Sequence, residues 1–304
     1  MRYSASCMAL MMAVGLVSVR SMAAGTADPT GHLGPVDVAQ LSASAPTVVV
    51  HYGPDPLQVG ELRMPTGRGP FPVAIIVHGG CFTKGFATLS YMAPTATALA
   101  QRGIATWNVE YREVGDAGGG WPGTFQDWAS AADQVRGLAA TYPLDLARVV
   151  VVGHSAGATA ALWIAGRKSL PLKSPIRGAD PIPIAAAIAI DGPGDLAAWV
   201  GVDSVVCRKP VIVPLFGGTV HDVPERYAQG SPRALLPLGV PQVLVASMVL
   251  TESDANAYKD DASAKHDRAS VLVLHDAGHF DMLAPGNAAW ESVEGLILQA
   301  AGIR

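Results

Sequence analysis

The chain has 304 residues, of which 50% are hydrophobic and 15% are charged, and its formal net charge at pH 7 is −4. This balance excludes an intrinsically disordered chain, because disordered segments combine low hydrophobicity with high charge. It also argues against a nucleic-acid partner, since such proteins present a basic surface to the phosphates. With three cysteines and no paired cysteine motif, the sequence indicates neither a disulfide-stapled miniprotein nor a metal site.

The N-terminus is typical of a secretory signal peptide. Arg2 precedes an apolar segment from Met8 to Val19 that is too short to cross a bilayer, and small residues lead to a cleavage position after Ala23. We therefore expect residues 1–23 to be removed and the mature protein to be periplasmic or secreted, without a stable membrane anchor. Residues 24–304 carry no linker or composition break and are predicted to form one domain.

The remaining cysteines are Cys81 and Cys207. In an oxidising compartment they would form either a disulfide or two buried free thiols, and sequence alone leaves both alternatives open.

The predicted elements alternate along the mature chain. Two short strands at 47–50 and 57–64 are expected to pair as an antiparallel hairpin at a sheet edge, because a Gly-Pro-Asp-Pro turn separates them. Beyond them, strands that are apolar on both faces alternate with helical segments, which predicts an α/β fold with a doubly wound, mostly parallel sheet. The segment 191–240 is rich in glycine and proline and is expected to be irregular, as a small cap over a cleft. The later strands are predicted at 73–77, 104–109, 149–152, 184–190, 242–250 and 271–274, and the helices at 92–102, 125–141, 156–167, 255–266 and 288–301.

The clearest chemical signal is Gly-His-Ser-Ala-Gly at 153–157. It follows an apolar strand and opens a helix, which is the context of a nucleophile elbow that presents a serine above a sheet. The motif predicts that Ser155 is a nucleophile and that the amide of Ala156 stabilises an oxyanion.

A second motif, His-Gly-Gly-Cys at 78–81, follows the strand predicted at 73–77. A loop at this position supplies the other oxyanion donor in hydrolases with such an elbow, and either Gly80 or Cys81 fits that role. His78 is expected to fix the loop by hydrogen bonding.

The general base is predicted to be His279, which follows the last strand in Ala-Gly-His-Phe. Its acid partner is expected on the loop after the strand at 242–250, where Asp254 is the first choice and Glu252 the second. Asp254 would alternatively cap the helix that begins there. Phe82, Trp121 and Trp199 are candidates to line the substrate pocket, although aromatic residues are more often part of the core.

The sequence resembles the α/β-hydrolases related to arylformamidases (kynurenine formamidases) and prolyl-oligopeptidase-type esterases. The resemblance rests on the motifs above and on three further segments: Asn-Val-Glu-Tyr-Arg at 108–112, Gly-Gly-Gly-Trp-Pro-Gly-Thr-Phe at 118–125 and Gly-His-Phe-Asp at 278–281. The resemblance extends from Val73 over most of the chain. It implies an α/β-hydrolase fold, a Ser/Asp/His triad, no metal and no organic cofactor. The loop at 246–248 departs from the pattern of many relatives, so the resemblance does not assign the acid to a residue.

The predicted activity is hydrolysis of a small-molecule carboxylic ester through an acyl-enzyme. An arylformamidase-like or peptidase-like amide hydrolase is the alternative, and a non-catalytic binding protein on the same fold is the third hypothesis. The sequence does not indicate an oligomeric state.

Overall fold

The computed structural model describes residues 31–303, so the predicted signal peptide lies outside the described part of the chain. Within that range one sheet of eight strands forms the centre of the protein. The strands occupy the segments predicted from their apolar residues, with ends that differ by a few positions. They are β1 (Val48–His51), β2 (Val59–Arg63), β3 (Phe71–Val77), β4 (Ala105–Val109), β5 (Leu144–His154), β6 (Ala186–Ile190), β7 (Gln242–Ala246) and β8 (Ala269–Val273).

Nine α-helices lie in the same range of residues. Five of them, the second, third, fourth, eighth and ninth, correspond to the helices predicted from sequence. The helices are α1 (Pro35–Ala39), α2 (Ala93–Gln101), α3 (Gly123–Ala139), α4 (Ala156–Gly166), α5 (Val202–Val206), α6 (Ile212–Phe216), α7 (Pro224–Gly230), α8 (Glu252–Ala264) and α9 (Ala288–Ala300).

The order of the strands across the sheet is β1-β2-β4-β3-β5-β6-β7-β8. β1 pairs antiparallel with β2, and β2 pairs antiparallel with β4, whereas all the other neighbours are parallel. The predicted mostly parallel sheet with an antiparallel N-terminal hairpin is therefore confirmed. Because β3 and β5 to β8 all run in one direction, the loops at their carboxyl ends meet at one edge of the sheet.

Both faces of the sheet are covered by helices, which explains why the strands are apolar without alternation. On β3, Val73, Ile75 and Val77 belong to one buried cluster, while Ala74 and Ile76 belong to the other. The first cluster contains residues of α3, α4 and α8, and the second contains residues of α1, α2 and α9.

The segment 191–240, here called the cap segment, contains the three short helices α5, α6 and α7 rather than an irregular chain. A disulfide joins Cys207, at the end of α5, to Cys81 in the loop after β3, so the free-thiol alternative does not hold. Val206 and Ile212 line a cavity together with Ser155, which places this part of the cap segment over the carboxyl edge of the sheet. No helix within residues 31–303 is both long and apolar enough to cross a bilayer.

Candidate active site

Ser155 lies at a sharp turn between β5 and α4, with φ 57° and ψ −122°. A non-glycine residue in this region is strained by roughly 1–3 kcal/mol and persists only where its surroundings hold it there. The flanking glycines are needed for close approach: a Cβ on Gly153 would lie 1.8 Å from the carbonyl oxygen of Gly157, and one on Gly157 would lie 2.1 Å from that of Val77. The geometry is that of the predicted elbow.

The loop after β3 passes directly over this serine. A Cβ on Gly79 would lie 2.6 Å from the Cβ of Ser155, and Cys81 and Phe82 both have positive φ. The amides of Gly80, Cys81 and Ala156 donate no hydrogen bond to other residues of the 31–303 segment, so they are free to bind an anionic oxygen. Cys81 and Ala156 line the cavity next to Ser155.

The imidazole of His279 is held by a buried carboxylate. Its Nδ1 donates a hydrogen bond to Oδ2 of Asp191 at 2.7 Å, and the Asp191 side chain is fully buried. Asp191 Oδ1 also accepts the backbone N–H groups of Ser247, Val249 and Leu250 at 2.9–3.1 Å. These four hydrogen bonds hold the carboxylate in a fixed position against the imidazole. The His279 Nε2 atom makes no hydrogen bond with the described residues, and 18% of the side chain is exposed.

The predicted acid, Asp254, does not contact His279. It lies in the first turn of α8, where its carboxylate accepts the hydroxyl of Thr251 at 2.8 Å and its N–H donates to Thr251 Oγ1 at 3.1 Å. Thr251 is the N-cap of α8, and Asp254 hydrogen-bonds to it from within the first turn, so Asp254 is not itself the cap residue that the alternative interpretation predicted. Glu252 is exposed and lies 4.0 Å from His275, which is 74% exposed.

The carboxylate that holds His279 comes from a different strand from the one that the sequence predicts. The loop after β7 was expected to supply the acid, but it supplies only backbone amides, and the carboxylate comes from the end of the adjacent β6. Asp191 directly follows the apolar segment 184–190. A charged residue at the carboxyl end of a predicted parallel strand is a candidate for the active site, and this position is the sequence signal that identifies Asp191. Asp281, two residues after His279, instead accepts the Gly278 N–H at 2.7 Å and contacts His32 at 2.8 Å.

His154 connects the serine turn to the loop of the base. Its Nε2 donates to the carbonyl oxygen of His279 at 2.9 Å, and the two rings are 4.2 Å apart. Its Nδ1 accepts the hydroxyl of Tyr91, which in turn accepts the N–H of Gly79. Burial, with a smaller effect of nearby His279, holds the pKa of His154 well below its usual value, so the ring is neutral.

The Ser155 hydroxyl has no hydrogen-bond partner within residues 31–303; the serine bonds through its backbone, donating to the Ile190 carbonyl at 2.9 Å. The hydrogen bond between Ser155 and His279 thus remains a prediction for the substrate complex, where such contacts commonly tighten.

His78 fixes the oxyanion loop, as expected. Its Nδ1 donates to the Gly79 carbonyl and its Nε2 to Glu110 Oε1, each at 2.5 Å, and the ring stacks on Tyr111. Burial opposes the charge of this imidazole and is the largest effect, but the charge and hydrogen bond of Glu110 outweigh it and raise the pKa of His78. The pKa of Glu110 is lowered because His78 and two backbone N–H groups offset its burial.

Glu113 lies beside the same loop. Its buried Oε1 has no hydrogen-bond partner among the described residues and lies 3.0 Å from the position that a Cβ of Gly80 would occupy. Burial is the main cause that raises the pKa of Glu113 to about 8, with His78 opposing the shift and Glu110 and Asp116 adding to it.

The cavity next to Ser155 has a volume of only about 10 Å³. Phe82 and Trp199 line it, as predicted. Trp121 does not, because its ring packs 5.4 Å from Phe125 and 6.3 Å from Phe216 in an aromatic part of the core. In residues 31–303 no group of three or more His, Cys, Asp and Glu side chains is placed to hold a metal ion.

The sequence profile of the BD-FAE family matches residues 61–247, more than half of the chain. The protein belongs to the BD-FAE family. The matched region contains the oxyanion loop, Ser155 and Asp191, while His279 lies beyond it. Among curated proteins, none is significantly similar to this chain in sequence.

Solved structures of similar fold include proteins described as esterases. A truncated carbohydrate esterase from gut microbiota has a TM-score of 0.70 at 17% identity, covering 85% of this chain and 100% of its own. Esterase 2 of Thermogutta terrifontis, phosphonylated by sarin, has a TM-score of 0.67 at 17% identity, covering 83% and 92%. A bifunctional GH43-CE protein of Bacteroides eggerthii has a TM-score of 0.65 at 16% identity, and the match covers 83% of this chain but only 38% of that one.

At these identities the similarity shows the fold, which is the α/β-hydrolase fold expected from the motifs. The narrower resemblance to arylformamidases and prolyl-oligopeptidase-type esterases is not confirmed by the comparisons.

Proposed function

We propose that this member of the BD-FAE family is a serine hydrolase that cleaves carboxylic esters of small molecules. The observation that carries the proposal is the elbow conformation of Ser155 next to the buried Asp191–His279 pair. The ester class is supported by structural relatives that are described as esterases, one of them in a form phosphonylated by sarin.

In the first step, Ser155 Oγ attacks the ester carbonyl carbon while its proton passes to Nε2 of His279. The carbonyl π electrons move to the oxygen, and the resulting oxyanion accepts hydrogen bonds from Ala156 N–H and from Cys81 or Gly80 N–H. Asp191 holds Nδ1–H of the imidazole, which fixes the tautomer that leaves Nε2 free and stabilises the imidazolium that forms.

In the second step, the imidazolium gives its proton to the alcohol oxygen as the C–O bond breaks, which leaves an acyl ester on Ser155. Water then attacks this ester with His279 as the base, and the carboxylic acid departs. The neutral His154 keeps the His279 loop beside the serine turn through both steps.

The direct test is turnover of p-nitrophenyl acetate by the folded protein and by Ser155→Ala. We expect Ser155→Ala to lose at least about 10³-fold in kcat, because the nucleophile is removed. Ser253→Ala, which changes an exposed serine, is the matched control and is expected to retain full activity. A serine-directed organophosphate should label Ser155, and unlabelled Ser155 in active protein would contradict the mechanism.

The same assay separates the alternatives. Higher kcat/KM for N-formylkynurenine or aminoacyl amides than for esters would favour an amide hydrolase. Binding without turnover of either class would favour a non-catalytic protein.

We also propose that the protein is exported to the periplasm or the medium. The Cys81–Cys207 disulfide supports this, because such bonds persist in oxidising compartments. N-terminal sequencing of the protein from fractionated cells is expected to begin at Ala24, and an uncleaved chain in the cytosol would overturn the proposal.

A further inference from the structure

The loop that carries the second oxyanion donor contains a turn that its own residues do not favour. Residues 80–83 form this turn, and the N–H of Thr83 closes it by donating to the carbonyl oxygen of Gly80 at 3.0 Å. The two central residues, Cys81 and Phe82, have φ of 55° and 53°. Turns with positive φ at both central positions are normally built from glycine, asparagine or aspartate, because a larger side chain is crowded in this conformation. Cysteine and phenylalanine therefore need contacts outside the turn to hold them there.

The turn directs one backbone amide at the active site. A trans peptide unit is planar, with its C=O and N–H on opposite sides, and the Gly80 carbonyl points across the turn to Thr83. The Cys81 N–H therefore points out of the turn, and it donates to no residue of the 31–303 segment. Cys81 and Ser155 line the same cavity. Of the two candidate donors in this loop, Cys81 is thus the one that the turn presents to a substrate carbonyl.

The two central residues of the turn are anchored to different parts of the molecule. Phe82 is buried in the core, and its carbonyl oxygen accepts the N–H of Val114 at 2.8 Å. The side chain of Cys81 is bonded to Cys207 of the cap segment, and Cys81 is only half-buried. The carbonyl oxygen of Cys81 accepts the hydroxyl of Thr83 at 2.9 Å, but this contact lies within the turn and would move with it. The disulfide is therefore the bond that fixes Cys81 relative to the rest of the protein.

The other end of the disulfide is held on both sides in the sequence. Cys207 is buried and follows α5 directly, and its N–H donates to the carbonyl oxygen of Asp203 at 2.8 Å. The buried carboxylate of Asp203 accepts the N–H groups of Val211 at 2.7 Å and Ile212 at 2.9 Å, which fixes the chain after the cysteine as well. Cys207 is thus a rigid anchor for Cys81.

From these contacts, and resting on the proposed ester hydrolysis, we infer that Cys207 is a positioning residue that directs the Cys81 N–H at the oxyanion through the disulfide. Without the bond, Cys81 relaxes to negative φ and its amide turns away from the substrate carbonyl. The site then keeps Ser155, His279 and the Ala156 amide but loses one donor. Because such donors act on charge that develops in the transition state, the loss appears in kcat and not in KM.

The first test reduces the bond in the folded wild-type protein with a water-soluble phosphine. The phosphine supplies two electrons and water supplies two protons and the oxygen of the phosphine oxide, so that the disulfide becomes two thiols. We expect kcat for p-nitrophenyl acetate to fall about 10- to 100-fold with KM within about threefold of its oxidised value, because an oxyanion donor is worth roughly 100-fold or more. Re-oxidation is expected to restore kcat.

Cys207→Ser is the control for the reagent, since it has no bond to reduce. Its kcat is expected to be as low as that of the reduced wild type and to be unaffected by the phosphine. An unchanged kcat in wild-type protein whose reduction is complete, by mass spectrometry of the alkylated thiols, would overturn the inference and leave the esterase proposal standing.

A second pair of variants separates positioning from general stabilisation. Cys81→Gly/Cys207→Ser and Cys81→Ala/Cys207→Ser both lack the disulfide, but only glycine adopts positive φ without a side-chain anchor. We expect kcat to be about tenfold higher in the glycine variant than in the alanine variant, because the amide of residue 81 again faces the substrate. Both are assayed under conditions where urea titration shows them to be folded, so that the comparison does not reflect stability.

Equal kcat values in the two folded double variants would show that the disulfide only stabilises the fold, which contradicts the inference. If the double variants do not fold, the reduction of the wild type decides. Absence of ester turnover in the oxidised wild type would refute the proposed function and the inference together.

Discussion

Two histidine–carboxylate pairs with buried carboxylates lie at the same edge of the sheet, and they differ in how their imidazole nitrogens are used. His78 has both nitrogens bonded, to Gly79 and Glu110, and is fully buried. His279 has one nitrogen bonded, to Asp191, while Nε2 has no partner in the described segment. An imidazole whose two nitrogens both hydrogen-bond to the protein can hold a loop but presents no nitrogen to a substrate, whereas one with a free nitrogen can exchange a proton with a bound substrate. The difference separates a structural pair from a candidate catalytic pair.

The largest expected effect on activity comes from Asp191→Asn, which removes the carboxylate that fixes the tautomer of His279. We expect kcat for p-nitrophenyl acetate to fall by about 10⁴-fold while the protein stays folded. Asp254→Asn is the matched control, because Asp254 lies at the start of α8 away from His279, and its kcat should stay within about twofold of the wild type. Equal losses in both variants would show that the assignment of the acid to Asp191 is wrong.

The first pair is expected to matter for stability instead. Glu110→Ala leaves the buried charge of His78 without its partner, and removal of one member of such a pair lowers the free energy of unfolding by about 3–5 kcal/mol. Urea unfolding at pH 5.5 measures the change. Glu252→Ala breaks the exposed 4.0 Å contact with His275 and should change the free energy by less than about 1 kcal/mol.

The pH dependence of this stabilisation follows from two opposite pKa shifts. The pKa of Glu110 is lowered, so its contribution is present above the usual carboxyl pKa and is lost as pH falls through the lowered value. The pKa of His78 is raised, so its contribution is complete below the usual value of 6.5 and is lost as pH rises through the raised value. The difference in the free energy of unfolding between the wild type and Glu110→Ala should therefore be greatest between pH 4.5 and pH 6.5.

A smaller effect is expected for Glu113, a buried carboxyl that has no histidine partner. Its pKa is raised from 4.5 to about 8, so the folded state binds an extra proton in that interval and the stability of the wild type falls as pH rises through it. Glu113→Gln keeps the shape without the charge. At pH 9 it should be more stable than the wild type by about 1–3 kcal/mol, with little difference at pH 4.5, by urea unfolding. Equal stabilities at pH 9 would mean that water or another group satisfies the carboxylate.

The sequence was sufficient for the features that depend on local pattern. The apolar runs predicted the strands of the parallel sheet, the turn at 53–56 predicted the hairpin of β1 and β2, and the glycines around Ser155 predicted the elbow. Each of these follows from neighbours in the chain, because strand periodicity and tight turns impose their residue types within a few positions. The position of His279 after the last strand was also evident, although its role remains a prediction.

The partner of His279, the surroundings of Trp121 and the pairing of the two cysteines required the tertiary structure. Asp191 is 88 residues from His279 in sequence, and the sequence analysis predicted Asp254 or Glu252 instead, because only the packed structure shows which carboxylate faces the imidazole. Cys81 and Cys207 are 126 residues apart, and their bond joins the oxyanion loop to the cap segment. Local sequence fixes backbone conformation, whereas contacts between distant residues depend on how the sheet and the cap segment pack, so only the packed structure decided which groups share the site.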